Sequence, residues 1–277
     1  MMLIRVGFEI SFRFSQPTAL LALLNVHPSH ASVIQTPDCF EVEPSTSITE
    51  FVDSFGNRCN RIFVPAGSVT LRNDTTVEDE GQSDPQAWNA VQHSVQDLPN
   101  EVLIFLLASR YCEVDSDLKD IAGNLFNSTA HGWHRVQSIC NFVFQHLRFD
   151  YHKARANRTA LEAFRERSGV CRDFTHLAIA LCRCMNIPAR YCTGYLGDIG
   201  VPPSPDPMDF CAWFEAYLGG EWYVFDPRNN EPRIGRVLMA RGRDAADAAL
   251  TTTFGVNHLE SFKVWADEVR PAYQSGC

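Results

Sequence analysis

Apolar and polar residues alternate with a period near two along residues 3–14, LIRVGFEISFRF, which predicts a β-strand. Residues 49–72 alternate in the same way through TEFVDSF, a turn at Gly56-Asn57, CNRIFVP, a turn at Ala66-Gly67, then VTLR. This pattern predicts a hairpin extended into a meander. The first 80 residues therefore read as an N-terminal antiparallel β domain, with residues 81–277 as a second, core domain. Residues 73–87, NDTTVEDEGQSDPQA, are acidic and polar with Gly and Pro, and read as a linker.

The period then changes. Residues 113–124 and 131–148 carry apolar positions three and four apart, and 159–167 predicts a shorter helix. In the second of these, Val136, Ile139, Cys140, Val143, Phe144 and Leu147 make one stripe. Beyond Gly169, the residues Phe174, Leu177, Ala178, Leu181, Cys182 and Met185 define the buried face of a strong helix, and Pro188 ends it. Residues 189–196 are strand-like, and 197–207 form a Gly/Pro-rich loop. The chain next reads as a hairpin: CAWFEAYL, Gly219-Gly220, EWYVFD. The fold class expected is α+β.

Charge and composition narrow the partners. A net charge of -9 argues against nucleic acid or an anionic membrane as a partner. No apolar run reaches the length of a membrane span, and the alternation over residues 3–14 is unlike a secretory signal. The ten cysteines form no CxxC pair, and Cys182 and Cys184 would point about 200° apart on a helix, a poor arrangement for zinc. Reduced thiols in a cytoplasmic protein are the expectation, most of them small core residues.

Cys171 falls at the start of the strong helix, after Ser168-Gly169-Val170. The helix dipole and its free N–H groups favour a thiolate there and suit an oxyanion. The plain alternative is one more buried cysteine. If Gly219-Gly220 is a two-residue turn, Leu218 pairs with Glu221 and Asp226 faces Trp213. Cys211 and Asp226 are then diagonal neighbours on one face, roughly 7–8 Å apart. An imidazole at position 211 would bridge that gap; a thiol is too short.

The segments SGVCRDFTHLAIALCRCMNIPARYCTGY and MDFCAWFEAYLGGEWYVFDPRNNEPRIGRVLMARGRDAADAALTTTFG resemble the transglutaminase-like superfamily, in its bacterial branch of candidate cysteine proteases. The N-terminal β region resembles the same branch. The resemblance covers residues 3–265 and implies a papain-like core, its nucleophile helix packed on an antiparallel sheet. It also implies a Cys-His-Asp triad, no cofactor, and a peptide or protein substrate attacked at an amide such as a glutamine side chain. Carried over, Cys171 is the nucleophile and Asp226 the orienting acid. The family's His stands in D-F-His-A-W-F, whereas this chain reads Asp209-Phe210-Cys211-Ala212-Trp213-Phe214. Cys211 thus replaces the base.

The loss is severe. A neutral thiol supplies no positive charge, and a second thiolate would repel the first. Removing the base from comparable triads costs on the order of 10⁴–10⁶ in rate. His176 lies about 140° round the helix from Cys171 and reads as a packing residue. His258 reads as an exposed loop residue, and His131, His134, His146 and His152 belong to upstream segments. Three functions stay open: an enzyme with an impaired triad, an inactive relative that binds a peptide or protein in the old cleft, and a Cys171/Cys211 redox pair or, with Asp226, a zinc site. Of the neighbours, Trp133 reads as core and Trp213 as a cover for Asp226. Asp206 belongs to a loop bordering the cleft, and Arg172 reads as either cleft-side or solvated. Arg228, Arg233, Arg236, Arg241 and Arg243 form a basic run that reads as a solvated face or as partners of Asp244 and Asp247.

Overall fold

The structure, a computed structural model, describes residues 1–269. Its opening strands are β1 (Met2–Phe14), β2 (Thr18–Ala22), β3 (Glu41–Glu43), β4 (Ile48–Val52), β5 (Arg58–Val64) and β6 (Gly67–Asp79). There follow α1 (Leu118–Phe126), α2 (Trp133–His146), β7 (Arg148–Phe149), α3 (Ala160–Glu166), β8 (Ser168–Gly169) and α4 (Cys171–Cys184). The chain closes with β9 (Ala189–Leu196), β10 (Cys211–Leu218), β11 (Glu221–Phe225), β12 (Arg236–Gly242), β13 (Thr251–Thr253) and β14 (Asn257–Glu268). The fold is α+β, as its alternating and helical periods lead one to expect.

Three four-stranded antiparallel sheets carry the architecture, in the orders β14-β1-β6-β3, β13-β2-β5-β4 and β11-β10-β9-β12. β1 shows why its sequence makes a strand. Ile4, Val6, Phe8, Ile10, Phe12 and Phe14 are all buried, while Arg5 and Arg13 point outward. The outer face carries cross-strand pairs such as Arg5–Asp74 and Glu9–Arg72.

Two features depart from the sequence reading. β6 runs to Asp79, through the first half of the expected linker, because Asn73 and Thr75 point inward beside Val77. Asn73 donates to the buried carboxylate of Asp38, so a polar residue serves on a core-facing position. The strands after residue 250 also join the N-terminal sheets: β13 pairs with β2, and β14 runs along β1. The β part of the molecule therefore takes strands from both ends of the chain. Its core is continuous with the outer face of the third sheet through Tyr195, Phe210, Val237 and Met239.

The third sheet positions the site. Its inner face, with Ala212, Phe214, Ala216 and Leu218, packs on α4, which is buried along nearly its whole length. The hairpin has the expected register, Leu218 opposite Glu221 and Phe214 opposite Phe225. Gly219 and Gly220 turn it at φ of 60° and 95°, the positive pair that a tight hairpin turn requires. No helix among the described residues is long and apolar enough to cross a membrane.

Candidate functional site

Cys171 is the first residue of α4. The helix start is fixed by a buried carboxylate. Asp173 accepts the N–H of Val170 at 2.9 Å and an ion pair from Arg158 at 2.7 Å, with both charged side chains almost wholly buried. Gly169 is required beside it, because a Cβ there would lie 2.5 Å from the Asp173 carboxylate. Gly169→Ala is therefore expected to push Asp173 off both partners and to destabilise the fold by about 1–3 kcal/mol. Urea unfolding checks this, and an unchanged midpoint would mean that the carboxylate is not held as described.

The Cys171 sulfur has a second thiol as its neighbour. Cys211, the first residue of β10, lines the same cleft and has the largest influence on that sulfur, with the backbone N–H groups of Ala212 and Arg172 also favouring its thiolate. The Cys211 S–H is directed to the carbonyl of Ala212 at 3.7 Å. The neighbouring Cys211 thiol, helped by those N–H groups, pulls the Cys171 thiol below its ordinary value against burial and the charge of Asp209. The partner moves the other way. Cys211 is held well above its ordinary value, first by the neighbouring Cys171 thiol, then by burial and by the charges of Cys171 and Asp226. Burial pushes Cys59 and Cys184 up to about 11, so Cys171 runs against the trend of the structural thiols.

Asp226 lies near this pair and is engaged elsewhere. Its Oδ1 accepts the backbone N–H groups of Arg228 at 3.1 Å and Asn229 at 2.9 Å. Its Oδ2 accepts from the Asn229 side chain and from Arg236, both at 2.8 Å. These four bonds use a carboxylate's ordinary accepting capacity. Burial pushes Asp226 up, but Arg236 and Asn229 outweigh it and hold the group below the usual carboxylate range. No hydrogen bond joins Cys211 to Asp226 among the described residues. No group of three or more His, Cys, Asp or Glu among them is placed to hold a metal ion, so the zinc reading gains no support.

Arg236 is the residue the sequence reading missed. It is not part of a solvated face. Its side chain is 7% exposed, it pairs with both Asp226 and Asp84, and its guanidinium lies 5.1 Å from the centroid of the Trp213 ring. Trp213, expected over Asp226, therefore lies against the arginine that pairs with it. Asp84 belongs to the supposed linker, which is tied down as a strap: its backbone N–H donates to the carbonyl of Arg233, and its carboxylate accepts the N–H of Arg233 in return. Farther along the basic run, Arg243 does pair with Asp247, at 2.8 Å.

The histidines stay out of the site. His176 is fully buried, accepts the N–H of Ala245 and stacks on Tyr111, and burial together with Arg172 and Arg183 holds it well below its ordinary value. His258 sits in β14 opposite Arg13, about 20 Å along the strand from Val264, the nearest of the β14 residues that line the cleft. Arg172 is packed: it donates to the backbone carbonyls of Arg155 and Ala156 and lies 5.6 Å from the centroid of the Tyr111 ring. Trp133 is fully buried against Phe225 and Tyr223, as a core residue.

The thiol pair opens on a cleft of about 1300 Å³. Aromatic and apolar walls come from Phe149, Tyr151, Met208, Phe210 and Trp265, and Asp206 lies on its rim loop. Arg228 stacks on Phe149 at 4.4 Å. No histidine lines the cleft among the described residues.

Residues 119–227 match the family model of the transglutaminase-like superfamily. The chain is similar over 98% of its length to the crystal structure of a candidate cysteine protease from Cytophaga hutchinsonii, with 28% identity, a TM-score of 0.81 and 92% of that chain covered. An uncharacterised protein of Mycobacterium leprae is 37% identical over 95 residues, 33% of this chain and 33% of that protein. An uncharacterised protein of Mycobacterium tuberculosis is 36% identical over 96 residues, 31% of this chain and 30% of that protein. The match thus spans about a third of the length of these mycobacterial relatives.

Proposed function

The chain is a member of the transglutaminase-like superfamily, and from that premise we propose that it performs thiol acyl chemistry on amide groups of peptides or proteins. Cys171 is the nucleophile, and the Cys211 thiol stands in the place of the imidazole. The observation that carries this reading is the placement of Cys171 at the first turn of α4 with Cys211 beside it on the same cleft. The Cys171 thiolate adds to the carbonyl carbon, and the positive end of the α4 dipole favours the developing oxyanion. As the C–N bond breaks, the leaving nitrogen takes the Cys211 proton and a thioester remains on Cys171. Water or an amine then attacks the thioester, giving its proton to Cys211. A thiol is a poorer acid and base for this cycle than an imidazole near pH 7, so turnover is slow. A reducing compartment, the cytoplasm, suits a site that needs both thiols free.

A second reading, a cleft that binds a peptide without turnover, is favoured by the saturated Asp226 and by the lack of a cleft histidine among the described residues. Acetylation by p-nitrophenyl acetate, followed by mass spectrometry across pH, separates the two. Under the first reading Cys171 takes the acetyl group, with half-maximal rate at a pH below the free-thiol value of about 8.5. Cys211→Ala moves that midpoint upward, because the neighbour that favours the thiolate is gone, and Cys171→Ser abolishes the adduct. A Cys171 that stays unacetylated while other thiols react would leave the binding reading in possession.

A further inference from the structure

We propose that the Cys171–Cys211 pair carries a second activity, the reduction of disulfides by thiol–disulfide exchange, with positively charged disulfides preferred. It rests on Cys171 being the accessible nucleophile, as in the acyl reading, but it uses position 211 in a way that an imidazole could not serve.

Three observations converge. The first is proximity: the two thiols, from the first residue of α4 and the first residue of β10, are brought to one wall of the same cleft, where each is the other's leading electrostatic neighbour. A nucleophilic thiol with a second thiol beside it is the arrangement in which a mixed disulfide is resolved internally. The second is access. Both cysteines are half-buried and line the same open cleft, whereas Cys59, Cys112, Cys140, Cys182 and Cys192 are shut in the core. The third is charge. Asp198, Asp206, Asp209, Glu231 and Asp267 line the cleft against Arg228 and Arg233, and Arg233 already lies 3.6 Å from Asp198. The surplus is negative, which favours a cationic disulfide at low salt.

The step balances without an outside oxidant. The Cys171 thiolate attacks one sulfur of the substrate disulfide, forming a mixed disulfide and releasing one thiolate. Cys211 gives up its proton to that leaving thiolate, and its own thiolate then attacks the Cys171 sulfur. The substrate's second half leaves as thiolate and takes a proton from water. The pair loses two electrons and two protons to form the Cys171–Cys211 bond, and the substrate disulfide gains them as two thiols. A low-molecular-weight thiol is the reductant that returns the pair. While oxidised, the site has no nucleophile for acyl transfer, so the two activities exclude each other.

Cystamine is the probe, with bis(2-hydroxyethyl) disulfide as its neutral counterpart, and non-reducing peptide mapping is the readout. The reduced wild-type chain is expected to release both halves of cystamine as cysteamine and to end two hydrogens lighter, linked from 171 to 211. Cys211→Ser is expected to stop with one cysteamine on Cys171 and to lose it at least about tenfold more slowly. Cys211→Ala repeats the test if serine disturbs the fold. Cys171→Ser is expected to gain no rapid adduct at Cys211. Cystamine is expected to react faster than the neutral disulfide, and equal rates would overturn the charge preference. A wild-type chain that keeps cysteamine on Cys171 as long as Cys211→Ser does would overturn the proposal. If Cys171 accepts acetyl but never exchanges with cystamine, this inference fails and the acyl reading stands; if it accepts neither, both fail.

Discussion

Cys211→His is expected to raise ester and amide hydrolysis by about 10²–10⁴-fold, the range that a positioned acid–base group supplies. Position 211 opens β10 opposite Gly194, beside the Cys171 sulfur, so a ring there reaches the thiol that Cys211 now neighbours. An imidazole takes the thiol proton and keeps it as a cation near the thiolate, where Cys211 offers only a neutral S–H. The register of the hairpin places residue 226 diagonally across from it, within reach of a ring but not of a thiol.

The gain has a ceiling that Asp226 sets. Its four hydrogen bonds leave no spare acceptor for the ring's second N–H, so the new histidine must share Oδ2 with Asn229 or Arg236. The rate of the variant should rise through a single inflection in the imidazole range, near pH ~6.5. Steady-state hydrolysis of p-nitrophenyl acetate and of a glutamine-containing peptide, each against pH, checks both size and shape. Hydrolysis no faster than wild type, with Cys171 still acetylated, would place the limiting defect away from position 211.

The same register explains how much of the site is legible in the sequence. β9, the β10–β11 hairpin and α4 are governed by local rules: an alternating strand, a Gly-Gly turn with two positive φ values, and an apolar stripe ended near Pro188. Those rules also place Cys171 and position 211. They fail where partners are remote. β14 buries only Val264 and Ala266 of its twelve residues, so its apolar alternation is short, and its pairing with β1 rests on the backbone ladder and the exposed pairs Arg13–Glu260 and Glu9–Lys263 between the two ends of the chain. In β6, Asn73 and Thr75 turn inward because Asp38 and Thr36 satisfy them. Arg236 looks like any arginine in a basic run, since its partners lie 10 and 152 residues away. The expected helix over 113–124 begins only at Leu118, whose N–H is turned toward the Ser116 hydroxyl.

Arg236→Met is expected to cost about 3–5 kcal/mol of stability at neutral pH, the range for breaking one side of a buried ion pair. It strands Asp226 and Asp84, whose side chains are 2% and 12% exposed, and it frees the strap that Asp84 ties to the sheet. The sign of the pH dependence makes the test specific. In the wild type the folded-state pKa of Asp226 is depressed, so its contribution is present above the unfolded value near ~3.9 and is lost as pH falls through the folded value. Without Arg236, burial acts on Asp226 with Asn229 alone against it, so its folded-state pKa rises from the wild-type position. The variant therefore lacks the stabilisation that the wild type gains from this carboxylate as pH rises through the unfolded value. Urea unfolding of both proteins across about pH 4 to 7 should therefore give their smallest difference at the acid end. Asp226→Asn in the Arg236→Met background should recover part of the loss at neutral pH. A loss that stays constant across that range would mean that Arg236 acts by packing on Trp213 and not by its charge. Because Arg236 also sets the field around Cys211, the acetylation midpoint of Cys171 in this variant reports separately whether the ion pair reaches the thiols. An upward shift is expected, since removing the guanidinium takes a positive charge from beside the pair and so disfavours a thiolate.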